Sequence, residues 1–348
     1  MVQRPTLRDV AAAAGVATTT VTRVLSKSGY VAEETRLRVE EALRTTGYSV
    51  NSLARSLKSD RSHIVGHLLR STVPNPFYLL VARGVEDHVQ SRGYTALTYN
   101  MQAHDEAERR GIETFLGWRA DAIIITTPMQ SAHVDYVVSR GVPVVQVERP
   151  LTLKAARVLV RNHTGATQAM RHLVELGHRR IAYIGPEPLP PSELFGYVER
   201  ERFGAYVEGM AAIGASTEGL IRFGQDFQVD VGTAQGHGFT AMRALLEEGV
   251  RPTAIFAEND ILAAGAMQAI YGAGLSIPHD ISIVGFDDTL AQYVSPLLTT
   301  VRLPARQLGM TAAQMVIDQI EHPQAANAQE QILDSEFIIR ESTGPAPG

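Results

Sequence analysis

The sequence contains no cysteine, which excludes disulfides, thiolate metal sites and a cysteine nucleophile. It has no apolar run long enough to span a bilayer, and its opening residues, MVQRPTLRDV, lack an apolar signal-peptide core. A cytoplasmic protein with no membrane partner is expected. The glycine-rich phosphate loop GxxxxGK(S/T), which phosphoryl transfer wants, is also missing. Two histidines, His172 and His178, stand six residues apart, which is not helical ligand spacing, and both read as surface or structural. No catalytic residue, metal or cofactor is therefore assigned.

What is present is an ordinary globular composition over 348 residues, enough for two or three domains and a large core. Net charge is −5, which alone argues against nucleic acid. The distribution reverses that reading. Residues 1–60 carry a net charge of +3 and residues 61–348 a net of −8. A basic head on an acidic body suits a DNA reader whose remaining mass does something else.

Residues 6–25, TLRDVAAAAGVATTTVTRVL, have helix-turn-helix spacing. Helices over 7–14 and 18–25 flank a turn at Gly15-Val16, where glycine supplies a positive φ without Cβ cost. Val10, Ala14, Val16, Val21 and Val24 fall on the contact between the helices, and Ala11 sits at their closest approach. Thr6 can cap the first helix, with Asp9 as capping-box partner. A second helix of this kind lies in a DNA major groove. Its outward face carries Thr18, Thr19, Thr22 and Arg23, short polar groups plus a forked donor suited to guanine. Thr6 is counted with this DNA-facing set. A third helix spans 33–46, with Leu37, Val39, Ala42 and Leu43 available for its buried side. Residues 48–59 are too short to be a stable isolated helix.

From Ile64 onward, short apolar runs alternate with amphipathic helices: IVGHLL (64–69), helix 76–92, YTALTYN (94–100), helix 105–117, DAIIIT (121–126) and PVVQV (143–147). RVLVR (157–161) opens a second series. It continues through helix 164–176, RIAYIG (180–185), helix 199–213, LIRF (220–223), helix 233–248, TAIFA (253–257), helix 259–273 and ISIVGF (281–286). Strand–helix alternation on this scale means a doubly wound parallel sheet, and two series mean two sheets. TTVRLP, helix 304–321 and QILDSEFIIR (331–340) can return to either lobe. Residues 343–348 read as a loose tail.

The markers LRDVAAAAGV, TVTRVL, GHRRIAYIG, IFAENDILAAGAMQAI, DISIVGFDD and LTTVRLP, in this order, closely resemble the LacI/GalR family of bacterial transcription regulators. The resemblance implies an all-α helix-turn-helix head plus an α/β core of two doubly wound parallel-sheet lobes, like periplasmic sugar-binding proteins. It divides the chain into 1–48 (head), 49–61 (hinge helix and linker) and 62–348 (core). Within the core, lobe one is about 62–161 plus 291–322, and lobe two about 162–290 plus 323–343. The implied function is a repressor that binds a pseudo-palindromic double-stranded operator as a homodimer. A small effector, a sugar or sugar derivative, binds between the lobes and controls operator affinity.

Carried over residue by residue, the base-reading positions are Thr18, Thr19 and Arg23, and the hinge motif supplies Asn51, Ala54 and Leu57. The cleft set is Phe77, Tyr78, Arg202, Phe227, Asn259 and Asp287, with Glu148 a weaker member. Arg, Asn and Asp offer bidentate polar partners to a hydroxylated ligand, and aromatics offer a platform for its apolar face. Read without a relative, Asp287-Asp288 is equally a turn after a strand, Asn259 or Asp260 a helix N-cap, and Tyr78 and Phe227 core. Four departures from the family stand out. Ala17 and Ala32 replace capping Ser or Thr, Val50 replaces a proline, and Ala205 replaces a glycine and is expected to narrow the pocket. Two other classes compete: a sugar kinase, which lacks its phosphate loop here, and a secreted sugar-binding protein, which leaves residues 1–60 unexplained.

Overall fold

The computed structural model describes residues 5–26, 28–48, 61–70, 75–101, 105–186, 197–224, 236–323 and 329–348. Val50, Asn51, Ala54, Leu57 and Phe227 lie outside the described residues. The chain divides into two compact units, Met1–Ser62 and His63–Gly348.

The first unit holds α1 (Leu7–Ala14), α2 (Thr18–Ser26) and α3 (Glu33–Thr46). Thr6 and Asp9 form the expected capping box: the Thr6 backbone N–H donates to Asp9 Oδ2 at 2.7 Å, and the Asp9 N–H to Thr6 Oγ1 at 3.4 Å. Gly15, at φ +62°, closes α1 in the left-handed region. Val10, Val21 and Val39 are wholly buried at the centre, with Ala11, Ala14 and Ala42 around them. Each valine contributes roughly 1.5–3 kcal/mol by leaving water. Leu37 does not join them; it is 54% exposed. Two residues before Val39 puts it about 200° around the helix, on the face where Arg36 pairs with Glu33 and Glu40.

The N-cap of α3 is Ala32, and no side chain caps it. Serine there can accept one of the orphaned N–H groups, which is worth about 0.5–1 kcal/mol. Ala32→Ser is accordingly expected to slow amide exchange in the first turn of α3 about two- to fivefold. Unchanged exchange would show that the turn is held by other means.

The second unit contains β1 (Ile64–Leu69), α4 (Pro76–Ser91), β2 (Thr95–Asn100), α5 (Asp105–Gly117), β3 (Ala122–Thr126), α6 (Ser131–Ser139), β4 (Val144–Val147) and β5 (Ala156–Val160). After them come α7 (Asn162–Glu175), β6 (Ile181–Pro186), α8 (Tyr197–Ala212), β7 (Ile221–Gly224), α9 (His237–Glu247), β8 (Ala254–Ala257), α10 (Asp260–Gly272) and β9 (Ser282–Asp287). The chain finishes with β10 (Thr299–Arg302), α11 (Ala305–Glu321), β11 (Glu330–Leu333) and β12 (Glu336–Ile338). The short helix α6 has no counterpart among the elements expected from periodicity, because its run SAHVDYVVS is β-branched and polar.

Two six-stranded sheets result, ordered β11-β5-β4-β3-β1-β2 and β12-β10-β9-β8-β6-β7. Among the described residues all pairings are parallel except that of β10 with β12. Ile123, Ile124 and Ile125 are successive and wholly buried, as a parallel strand covered on both faces requires.

Three expectations need correction. RVLVR does not open the second series, because β5 pairs with β4 and β11 in the first sheet. The lobe assignments 291–322 and 323–343 are corrected at two strands, while α11 does pack on the first lobe. β10 pairs with β9 in the second sheet, and β11 with β5 in the first. QILDSEFIIR is thus two strands in two sheets. It breaks at Asp334-Ser335, where the Arg161 Nε–H donates to Asp334 and the Ser335 hydroxyl donates to the Arg161 carbonyl. Third, the residues after 342 are tied down. The Gly344 N–H donates to Ser282 Oγ at 3.0 Å and the Ala346 N–H to the Leu176 carbonyl at 2.8 Å. His178 is wholly buried beneath this segment, its ring nitrogens 3.0 Å from Thr253 Oγ1 and from the Gly344 carbonyl, a structural role.

Helices α4 and α11 touch backbone to backbone. A Cβ on Gly84 would lie 2.0 Å from the Arg306 carbonyl oxygen, and one on Gly309 would lie 2.0 Å from that of Val81. This fixes the helix whose first turn enters the cleft between the sheets.

Candidate functional site

On α2 of the first unit, Thr18, Thr19, Thr22 and Arg23 are all exposed, while Val21 turns inward. The Thr22 hydroxyl donates to the Thr18 carbonyl at 3.0 Å, which steadies the first turns of this face. The Thr6 hydroxyl is engaged by Asp9 at 2.8 Å.

In the second unit, the carboxyl ends of the parallel strands from both sheets meet, the place where open α/β sheets bind ligands. Arg70 follows β1, Thr127 follows β3, and Glu148 and Arg149 follow β4. Glu258 and Asn259 follow β8, and Asp287 ends β9. Asn75, Phe77 and Tyr78 come from the start of α4, and Arg202 from α8. Of the expected cleft set, Phe77, Tyr78, Glu148, Arg202, Asn259 and Asp287 are brought together around one cavity of about 60 Å³. At that size the polar groups stand close enough to interact directly.

Arg202 is 5% exposed and fixed on several sides. Its Nε and Nη2 donate to Asn162 Oδ1 at 3.0 and 2.9 Å, and Nη1 donates to the Glu258 carbonyl at 2.9 Å. Its guanidinium lies over the Phe286 ring, 3.9 Å from the centroid. Three of its five N–H groups are thereby engaged by protein. Nη1 also stands 3.6 Å from Asp287 Oδ1, and the Asn75 amide donates to Asp287 Oδ2 at 3.4 Å. The last contact joins the two lobes. Asn75 caps α4, its Oδ1 accepting the Phe77 N–H at 2.9 Å, while Pro76 at the first helical position needs no partner.

The Asn259-Asp260 pair divides its work. Asn259 caps α10, its Oδ1 accepting the Leu262 N–H at 2.9 Å, and still lines the cleft. Asp260 is wholly buried behind it. Asp288 is likewise structural, paired with Arg302 and Arg340 at 2.7 Å each. Ala205 packs in the core and does not line the cleft, so the expected narrowing there is corrected.

A sequence model of the bacterial regulatory proteins, lacI family, matches residues 6–51, and one of a periplasmic binding protein-like domain matches residues 170–343. The ribose operon repressor of Escherichia coli (strain K12) is 33% identical over 341 residues, covering 97% of this chain and 98% of its own. The chain belongs to the lacI family. As a lacI-family transcriptional regulator it joins a DNA-binding helix-turn-helix to an effector-binding core. The solved lac repressor dimer bound to operator and an anti-inducer is 27% identical, with a TM-score of 0.83 over 98% of this chain and all of that one. A LacI family regulator from Enterococcus faecium, solved with bound ribose, is 25% identical, with a TM-score of 0.69 over 81% of this chain and 99% of that one. Among the described residues, no helix of this family member is long and apolar enough to cross a membrane, and no cluster suits a metal ion.

Several cleft residues of this lacI-family core were not singled out from the sequence: Arg70, Asn75, Thr127, Arg149, Asn162 and Glu258. A usable signal existed, since Arg70, Thr127 and Glu258 directly follow a buried strand. Glu258 is also positioned from behind, because the Tyr183 hydroxyl donates to its Oε2 at 2.7 Å.

Burial pushes the Asp287 carboxyl up to about 8; Arg202 and the Asn75 hydrogen bond oppose this, and Asp260 and Glu148 reinforce it. The native state therefore keeps a proton that the unfolded chain has released above its ordinary value near 3.8. Stability from this group is present at low pH and lost as pH rises toward about 8. In urea melts without effector, wild type should lose ground to Asp287→Asn steadily from pH 5 to 8, then level off. A constant difference across that range would refute the shift.

Proposed function

We propose that the chain represses transcription as a homodimer on a pseudo-palindromic operator, and that a small sugar of the pentose class held between the lobes sets its operator affinity. It works in the cytoplasm as a regulator and not as an enzyme, with no cofactor. Two helix-turn-helix units on a two-fold axis read half-sites about one helical turn apart. Thr18, Thr19, Thr22 and Arg23 meet base edges in the major groove, Thr6 supports their helix pair near the backbone, and Asn51, Ala54 and Leu57 are assigned to DNA on the resemblance alone.

The observation that carries the effector reading is the buried Arg202, held by Asn162 and the Glu258 carbonyl with Asp287 3.6 Å away. The two guanidinium N–H groups without those partners, with the Asp287 carboxyl, form a donor–acceptor edge suited to vicinal hydroxyls. Asn259 offers its amide N–H because its oxygen is engaged by the helix cap. Glu148 accepts, and Phe77, Tyr78 and, by resemblance, Phe227 pack on the C–H face. The ribose operon repressor and the ribose-bound Enterococcus faecium regulator favour a pentose over a larger sugar.

A thermal-shift series with D-ribose, other pentoses and hexoses tests this. A ligand that binds only the native core, at a hundred times its Kd, adds about 2.7 kcal/mol of stability. A pentose is expected to raise the melting temperature. A panel in which no sugar does so would refute the effector reading.

A further inference from the structure

We propose that Asp260, which does not line the cleft, is the positioning residue for Asp287: it grips the loop after β9 by its backbone and so aims the Asp287 carboxyl at Arg202. The proposal rests on the reading of Asp287 as an effector contact. Asp260 Oδ2 accepts three successive N–H groups, from Thr289 at 2.8 Å, Leu290 at 3.0 Å and Ala291 at 3.2 Å. Its Oδ1 accepts the Thr300 hydroxyl from β10 at 2.7 Å. The carboxylate itself is out of water, since Asp260 and Thr300 are wholly buried.

The loop needs such a grip. Asp287 sits at φ +103° and Asp288 at +56°, conformations that non-glycine residues hold only when their surroundings impose them. The strand makes room for the carboxylate: a Cβ on Gly285 would lie 2.5 Å from Asp260 Oδ1. Asp288, paired with Arg302 and Arg340, secures the other side of the turn. The first lobe repeats the device. There the wholly buried Glu108 of α5 accepts the Met129 N–H at 2.6 Å and the Gln130 N–H at 3.4 Å, and stands 3.0 Å from His133 Nδ1. The loop it holds begins at the cleft residue Thr127, at φ +52°.

Asp260 also acts on Asp287 by charge, which separates positioning from bulk stability. The charged groups facing Asp287 are Arg202 from α8, Asp260 from α10 and Glu148 from the loop after β4; Asp260 itself faces Asp288. Burial pushes Asp260 up to about 6 against the donors around it, so it is largely ionised at neutral pH and helps hold Asp287 high.

The test uses the full chain with ¹³C-labelled aspartate carboxyls, free of effector, as wild type, Asp260→Asn and Thr300→Val. Removing the Asp260 charge should lower the Asp287 midpoint. Thr300→Val keeps the side-chain shape, removes one donor, makes Asp260 harder to ionise and so shifts Asp287 the same way by less. It decides the matter alone if Asp260→Asn does not fold. Leu290 and Ala291 amides should exchange about three- to tenfold faster in Thr300→Val. Calorimetry with D-ribose should show a loss of tenfold or more for Asp260→Asn and about three- to fivefold for Thr300→Val, with sugar-free operator affinity unchanged. An unmoved Asp287 midpoint, or unchanged exchange at 290–291, would overturn the proposal. Unchanged D-ribose affinity in a wild-type chain that binds the sugar would overturn it too. A wild-type chain that ignores D-ribose would sink the pentose reading instead, and the ligand-free measurements would still decide this one.

Discussion

Replacing Arg202 with alanine is expected to abolish the effector response while leaving operator affinity near wild type in the absence of effector. The substitution removes a guanidinium that is 5% exposed and bonded to Asn162 and the Glu258 carbonyl. It leaves those acceptors and Asp287 buried without their cation. Leaving buried polar partners without their donor costs about 1–3 kcal/mol for each group, enough to take a micromolar effector beyond its working concentration. Arg202→Lys keeps the charge but cannot fork between Asn162 and Glu258, so it should fall between wild type and alanine. Calorimetric titration with the sugar found by thermal shift reads the effect. Undiminished binding in Arg202→Ala would remove this residue from the site.

The second large effect concerns DNA. Arg23 is exposed on the same face of α2 as Thr18, Thr19 and Thr22, and a forked donor there matches guanine O6 and N7. Arg23→Ala should cost about 1–3 kcal/mol per half-site and relax the preference at one base pair in each. Selection from a random duplex pool, followed by anisotropy titrations of single-base variants, measures both quantities. An equal loss across all sequences, with a salt slope reduced by about one, would place Arg23 on phosphate.

The sequence was most legible where chemistry is local. Helix-turn-helix spacing needs only Ala11, Gly15 and a valine period, all within one stretch, and the capping box of Thr6 and Asp9 is three residues long. Six cleft residues, among them Arg202 and Asp287, converge as expected because βα units place strand ends at one rim. Legibility failed where partners are distant. Nothing in the periodicity of TTVRLP or QILDSEFIIR tells which sheet's edge each will join, so β10 and β11 were exchanged between lobes. Leu37 was misplaced by treating an apolar residue as a buried one. The segment after Ser342 lacks large apolar residues, and its order comes from hydrogen bonds to Ser282 and Leu176, far away in sequence. Asn75, Asn162 and Glu258 were missed for a related reason: each matters through the side chain it holds or faces, and no spacing rule records that.

The central claim is that a sugar in the cleft changes what the head does to DNA. Its most direct test is operator affinity, by fluorescence anisotropy, for wild type and Arg202→Ala as the stabilising sugar is titrated. The account predicts equal affinities without sugar and a sugar-dependent change in wild type alone. Coupling of about 1–3 kcal/mol, or roughly 5- to 150-fold, is typical of such linkage. Identical responses in the two proteins, or none in wild type at saturating sugar, would contradict it.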